Sequence, residues 1–184
     1  MTDASAPCIR PAHPDDADAI AAVQVASWKS SYRGVVADSF LDAMTVGERP
    51  RYWRGLIERG EGLAWVAQDE SGAAVGFVIG GANRRTEPYA APFSAELYSI
   101  YLLGNHQRGG TGTRLVRTLV AGLLERGERS MVVMTLEGIP AGAFYQRLGA
   151  RLLGGEPVEI GGERYGAVAY GWDDLAALGR RLEG

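Results

Sequence analysis

Apolar residues recur at helical spacing in five stretches of the chain. The clearest case is Leu115, Leu119 and Leu123, because a leucine at every fourth position predicts a helix whose apolar stripe packs on a sheet. Pro14, followed by two aspartates, predicts the start of an earlier helix. The predicted helices cover residues 14–28, 37–44, 47–59, 115–124 and 141–148.

Shorter stretches have the apolar, β-branched or aromatic character of strands. The strongest strand signal is at 96–102. The turn 69–72 is predicted to join the strands 63–68 and 74–80 as a hairpin, and Gly161-Gly162 to join the last two strands of the chain. The predicted strands are 8–10, 63–68, 74–80, 96–102, 131–134, 151–160 and 165–170. The predicted order begins with a strand and helices, continues with three strands, and ends with a helix, a strand, a helix and two strands. This order predicts a mixed α/β sheet.

Composition and charge are those of an ordinary globular protein and narrow the function classes. The 184 residues are predicted to form one domain, 1–184, with 46% hydrophobic residues and a net charge of -3. No basic tract offsets that charge, which argues against a nucleic-acid partner. No apolar run would span a bilayer and the N-terminus lacks the features of a secretory signal, so a cytoplasmic location is expected. Cys8 is the only cysteine and both histidines lie in predicted loops, so no metal site is expected.

A glycine-rich segment, Gln107-Arg108-Gly109-Gly110-Thr111-Gly112, lies between the strand 96–102 and the helix 115–124. Glycines leave backbone amides uncovered, and amides at a helix N-terminus bind phosphate with help from the helix dipole. Glycines that only reverse the chain direction are the alternative. The segment contains no lysine, which excludes a P-loop, and it follows the fourth strand with a spacing that excludes a dinucleotide fingerprint.

The same segment resembles the Q/R-x-x-G-x-G/A signature of the GNAT superfamily of acyl-CoA N-acyltransferases. The strand 96–102 looks like that family's fourth strand, and Ala143-Phe144-Tyr145-Gln146-Arg147-Leu148-Gly149-Ala150 is similar to its A-x-F-Y-x-x-x-G-F helix. The resemblance implies an α/β (α+β) GNAT fold. Its central sheet would be mixed but mostly antiparallel, with about seven strands, flanked by helices and splayed between strands four and five.

The resemblance also implies acetyl-CoA as the co-substrate. The backbone amides of 108–113 would hold the pyrophosphate, and the backbone of Ile100 and Leu102 would hydrogen-bond the pantetheine arm as an added strand. The implied cofactor-binding residues are Ile100, Leu102, Gln107, Arg108, Gly109, Gly110, Thr111, Gly112, Thr113 and Tyr145. Gly138 departs from the family, where an asparagine at this position often contacts the CoA arm.

Two residues are candidates for acid–base catalysis. Glu96 is the predicted general base, and strand alternation would place it in one row with Tyr98, Ile100 and Leu102. An inert glutamate at a strand end is the alternative. In the family, a tyrosine at the position of Tyr145 points at the CoA sulfur, and a phenol of pKa about 10 can protonate a thiolate of pKa about 8.5. Packing of the helix on the sheet is the alternative role for that ring.

The segment 27–34 resembles one found in many bacterial family members. Trp28 and Tyr32 lie four residues apart on one helical face and are predicted to wall an acceptor pocket, with core packing as the alternative. The implied function is direct transfer of an acetyl group from acetyl-CoA to a primary amine of a small molecule or peptide. A non-catalytic acyl-CoA-binding module and a nucleotide-binding protein are the alternatives. No membrane partner is expected, and a homodimer is compatible with a chain of this size.

Overall fold

A computed structural model describes residues 6–183 as one central sheet between two layers of helices. The strands are β1 (Cys8–Pro11), β2 (Leu63–Gln68), β3 (Ala74–Ala82), β4 (Ala95–Leu102), β5 (Met131–Leu136), β6 (Arg151–Ile160) and β7 (Glu163–Trp172). They form a 7-stranded sheet in the order β1-β2-β3-β4-β5-β7-β6. Neighbouring strands are antiparallel except β4 and β5, which are parallel, so the predicted fold class is confirmed.

Helices cover both faces of the sheet. They are α1 (Ala17–Ser31), α2 (Asp38–Ala43), α3 (Arg49–Glu58), α4 (Thr111–Glu125), α5 (Ala141–Arg147) and α6 (Leu175–Glu183). Ile20 of α1 and Trp53 of α3 pack with Ile79 on one face, while Leu119 of α4 packs with Val78 on the other. No helix within 6–183 is long and apolar enough to cross a membrane.

The observed elements differ from the predicted ones mainly at their ends, and one helix was missed. A short 3-10 turn, Pro14–Asp16, precedes α1 where a regular helix start was predicted. The missed helix is α6, whose buried residues Leu175, Leu178 and Leu182 recur at helical spacing. Its first turn is capped by Asp174, whose side chain accepts a hydrogen bond of 2.9 Å from the Ala177 amide.

The alternation of side chains along β4 is interrupted at Tyr98. The register with β3 moves from Ile79 opposite Ser99 to Gly80 opposite Leu97, which leaves Tyr98 without a partner as a β-bulge. Ser99 therefore shares the face covered by α1 and α3, whereas Leu97 lies on the α4 face.

The bulge also changes where Glu96 points. Glu96 lies opposite Gly81, on the face of α1 and α3, while Ile100 lies opposite Val78 on the α4 face. The prediction that Glu96 lies in one row with Ile100 and Leu102 is wrong, because the inserted residue shifts the alternation by one position.

Beyond the bulge, β4 and β5 separate. They pair over only three positions, from Ala95 opposite Met131 to Leu97 opposite Val133. The C-terminal part of β4 has no partner on this side, so one backbone edge of 98–102 is open. The predicted splay between strands four and five is confirmed.

Gly80→Ala is expected to lower the free energy of unfolding by about 1–3 kcal/mol. A β-carbon at Gly80 would lie 2.8 Å from the Glu96 carbonyl oxygen and 2.9 Å from Cδ2 of Leu119, so the bulge or α4 must shift. Gly104→Ala is the control, because a β-carbon there meets no atom within 4 Å. Urea unfolding measures both variants, and equal stability would contradict the close approach of α4 to the bulge.

Candidate active site

A cleft of about 560 Å³ lies between the diverging strands β4 and β5. Residues 97–102 of β4 and 133–135 of β5 border it, together with parts of α1, α4 and α5. Most of the residues predicted to bind the cofactor line this cleft, namely Ile100, Leu102, Gln107, Arg108, Gly110, Gly112, Thr113 and Tyr145. Gly109 and Thr111 are predicted cofactor-binding residues that are not part of the lining.

The loop before α4 passes twice through the left-handed region of backbone conformation. Arg108 has a φ of 65° and Gly110 a φ of 83°, and α4 begins at Thr111. Glycine adopts this conformation readily, whereas for Arg108 it costs about 1–2 kcal/mol. Turns of this kind point successive amides to one side and form anion-binding concavities, which is where proteins retain such strain. Nε2 of Gln107 donates a hydrogen bond of 2.9 Å to the Leu102 carbonyl and ties the loop to the end of β4.

Tyr145 on α5 borders the cleft with a side chain that is otherwise enclosed. It is 4% exposed, and its ring packs edge-on against Trp172 with centroids 5.9 Å apart. Its hydroxyl has no hydrogen-bond partner among residues 6–183. Burial, and then the nearby Tyr101 hydroxyl, raise the pKa of Tyr145. The phenol therefore keeps its proton through the neutral range and is a donor facing the cleft.

Tyr32 of α1 borders the same cleft, and Trp28 supports it from behind. The two rings stack with centroids 4.3 Å apart and planes 4° apart. Nε1 of Trp28 donates a hydrogen bond of 2.9 Å to the Tyr101 hydroxyl. Burial raises the pKa of both Tyr32 and Tyr101. Of the two residues predicted to wall the acceptor pocket, Tyr32 lies in the lining and Trp28 does not.

Glu96 lies outside the cleft lining as a buried carboxylate that pairs with two partly exposed arginines. It is 1% exposed, and its Oε1 accepts a hydrogen bond of 2.9 Å from Nε of Arg85. Its Oε2 accepts bonds of 3.2 Å from Nε and 3.3 Å from the backbone amide of Arg84. The guanidinium of Arg84 also stacks on Tyr98, 3.4 Å from the ring centroid. Both carboxylate oxygens thus anchor the loop after β3, and the general-base role of Glu96 stays a prediction.

The charged residues of the cleft lining are all cationic. They are Arg108 and Arg147, and none of the lining residues that the structure describes is Asp, Glu or His. Arg108 lies in the loop before α4, where its charge and the helix N-terminus together suit a polyphosphate. The same lining offers no side chain that takes up a proton readily near neutral pH.

Several residues of the lining were not predicted from the sequence. They include Ser27, Ser31, Ser99, Thr135 and Phe144. Ser99 and Thr135 lie in predominantly apolar strands, and a polar residue in such a strand is the signal that could have identified them. Ser27 and Ser31 are four residues apart on α1 and carry no comparable signal.

The backbone conformation explains why a glycine stands at position 138. It lies in the turn between β5 and α5 with a φ of 79°, a left-handed conformation that glycine adopts readily and asparagine tolerates better than most residues. The next two residues, Ile139 and Pro140, border the cleft, whereas Gly138 does not.

Solved structures with the same fold include N-acetyltransferases. An N-acetyltransferase from Staphylococcus aureus Mu50 superimposes with a TM-score of 0.69 at 20% identity, covering 93% of this chain and 99% of that chain. The protein yncA from Salmonella typhimurium, determined with its cofactor acetyl-CoA, has a TM-score of 0.68 at 19% identity, covering 92% of this chain and 94% of that chain. The fold is therefore that of the GCN5-related N-acetyltransferases. In this protein the parallel strands β4 and β5 pair over three positions and then separate.

Sequence comparison identifies the family. The model of the Acetyltransferase (GNAT) family matches residues 27–150. The Bacillus subtilis (strain 168) protein named Uncharacterized N-acetyltransferase YuaI is 34% identical over 170 residues, covering 92% of this chain and 95% of that protein. This chain belongs to the GNAT family of acetyltransferases and is an acetyl-CoA-dependent acyltransferase.

Gly110→Ala is expected to weaken acetyl-CoA binding roughly tenfold, because forcing a side chain into the left-handed conformation costs about 1–2 kcal/mol and displaces the loop amides. Gly127→Ala is a matched control, since Gly127 has a φ of 86° and neither position has an atom within 4 Å of the added β-carbon. Calorimetric titration with acetyl-CoA measures the two dissociation constants. Equal affinities for acetyl-CoA, or stabilisation of the parent protein by ATP or NAD rather than acetyl-CoA, would contradict a CoA-binding loop.

Proposed function

We propose that this enzyme transfers the acetyl group of acetyl-CoA directly to a primary amine, with acetyl-CoA bound between β4 and β5. The observation that carries the proposal is the open backbone edge of 98–102, which lies beside the loop that begins α4. A pantetheine arm carries amides that can pair with such an edge, and a pyrophosphate suits the amides of the loop. Both parts of the cofactor thus find matching groups in one cleft.

Direct transfer makes the following demands on the site. The neutral amine nitrogen attacks the thioester carbonyl carbon and forms the new C–N bond, the C–S bond breaks, the amine loses one proton and the sulfur gains one. Backbone N–H groups along the open edge of β4 are available to stabilise the oxyanion. Tyr145 is the donor proposed for the sulfur, because it borders the cleft and its hydroxyl has no hydrogen-bond partner among residues 6–183. Burial raises its pKa, so the phenol is protonated at neutral pH but is a weaker acid than an exposed tyrosine.

Tyr145→Phe is expected to lower kcat roughly hundredfold with little change in KM for acetyl-CoA, because the ring remains and only the proton donor is lost. Tyr170→Phe is the control, since Tyr170 packs 6.0 Å from Tyr145 and does not line the cleft. Thiol release is followed with a panel of amines that includes aminoglycosides, polyamines, amino acids and peptides.

The same experiment tests the proposed function itself. Binding of acetyl-CoA without turnover of any amine would favour the alternative of a non-catalytic acyl-CoA-binding module. An unchanged kcat in Tyr145→Phe would instead remove Tyr145 from the chemistry and leave direct transfer standing.

Glu96→Gln separates an ion-pair role from a general-base role. If Glu96 mainly holds Arg84 and Arg85, the variant unfolds about 1–2 kcal/mol more easily and kcat/KM changes by less than roughly threefold. We expect this outcome from the hydrogen bonds at both oxygens. A loss of kcat/KM of about a hundredfold that is recovered at high pH would establish Glu96 as the base. Glu87→Gln is the control, because Glu87 contacts only Arg85 among these arginines, at 3.8 Å.

A further inference from the structure

A second cavity, of about 430 Å³, lies on the α1 and α3 side of β4. Its lining consists of Gln24, Glu48, Arg49, Tyr52, Trp53 and Ser99. Ser99 also borders the cleft between β4 and β5, so the two cavities meet at this residue. A molecule bound over α3 would therefore have its nearest approach to the first cleft at Ser99.

The bulge at Tyr98 explains how one strand residue serves two cavities. Ser99 lies opposite Ile79, so its side chain is directed to the face of α1 and α3. Its backbone belongs to the stretch of β4 that has separated from β5. The sheet is thus open at Ser99 between the cofactor cleft and the second cavity.

Aromatic and polar groups define the wall formed by α3. Trp53 is 4% exposed, and its Nε1 donates a hydrogen bond of 3.1 Å to Oε1 of Gln24, which fixes both side chains. Tyr52 is 53% exposed and packs edge-on against Trp53 with centroids 4.8 Å apart. An exposed large aromatic residue beside a buried one makes an apolar surface that a ligand can cover.

A cation and an anion, neither of them in a salt bridge within the described part of the chain, lie side by side in this cavity. Among the described residues neither Glu48 nor Arg49 makes a salt bridge, and Arg49 is half-buried, with a hydrogen bond of 2.6 Å from Nη1 to the Thr45 carbonyl. Burial raises the pKa of Tyr101, which borders the first cleft, and the charge of Arg49 is one of the weaker influences that oppose this rise. A half-buried guanidinium with unused donors is a strong binding group for a carboxylate.

We infer that the second cavity binds the acceptor, and that the acceptor is an amine bearing a carboxylate, of the amino-acid type, whose carboxylate is held by Arg49. Arg49 matches the carboxylate, and the aromatic wall matches an apolar side chain. The amine would then be presented to the thioester at Ser99. This inference rests on the proposed direct transfer.

The test compares matched acceptors that differ by one carboxylate, such as L-phenylalanine with phenethylamine and L-leucine with isopentylamine. The parent enzyme is expected to show a kcat/KM at least about tenfold higher for the amino acid of each pair. Arg49→Met should remove that preference by lowering kcat/KM for the amino acid about tenfold, and should leave the decarboxylated amine within about twofold. Arg49→Lys should retain part of the preference.

Arg51→Met is the control, because Arg51 lies on the same helix and lines neither cavity. Equal activity on both members of every pair, or an equal loss on both in Arg49→Met, would overturn the inference while leaving acetyl transfer intact. If no amine is turned over, the proposed function fails, and binding is then measured by thermal shift in the presence of CoA. Stabilisation of the parent protein but not of Arg49→Met by an amino acid supports the subsite, and no stabilisation of either overturns it.

Discussion

The cleft exists because the pairing between β4 and β5 is short, and the rest of the site depends on this one constraint. Parallel pairing holds at three positions and stops where the unpaired Tyr98 enters the strand. A bulge bends a strand and increases its twist locally, so β4 leaves the plane in which β5 could follow it. At the end of the strand the Leu102 carbonyl accepts hydrogen bonds from the side chains of Ser27 and Gln107. The preceding backbone groups that lose a strand partner face the cleft, where their partner comes from outside the protein. An extended molecule with amides would fulfil that need, and the pantetheine arm of the proposed cofactor is such a molecule.

Local sequence signals were sufficient to predict the helix and the strand that border that cleft. The leucine repeat of α4, the apolar run of β4 and the glycine loop between them each depend on neighbours within a few residues, and all three lie where they were predicted. The bulge could not be predicted in the same way, because the composition of 95–102 suits an unbroken strand equally well. Its existence is decided by packing, since Leu97 and Ile100 both pack against the α4 side while Glu96 pairs with arginines on the other.

The candidate site was harder to predict because its chemistry depends on contacts between distant parts of the chain. The partners of Glu96 come from the loop after β3, and the support for Tyr32 comes from Tyr101 by way of Trp28. The cavity over α3 brings together residues of α1, α3 and β4, and no local pattern relates them. Family resemblance pointed to the loop before α4, to Tyr145 and, through the segment 27–34, to Tyr32, all of which contribute to the cleft lining. No resemblance covered Arg49.

The charge of the site bears on how the acceptor loses its proton. At pH 7 a lysine-like amine of pKa about 10.4 is neutral in only about one molecule in 2,500, so some influence must favour the neutral form. The described lining of the cleft has no carboxylate or histidine, but it has Arg108 and Arg147. The adjoining cavity holds Arg49 and, beside it, the exposed Glu48, whose charge acts in the opposite sense. Nearby positive charge and removal from water both lower the pKa of an ammonium group. In the proposed reaction, the arginines that attract phosphate and carboxylate would therefore also shift the amine towards its nucleophilic form, and the proton could leave to solvent without a dedicated side-chain base.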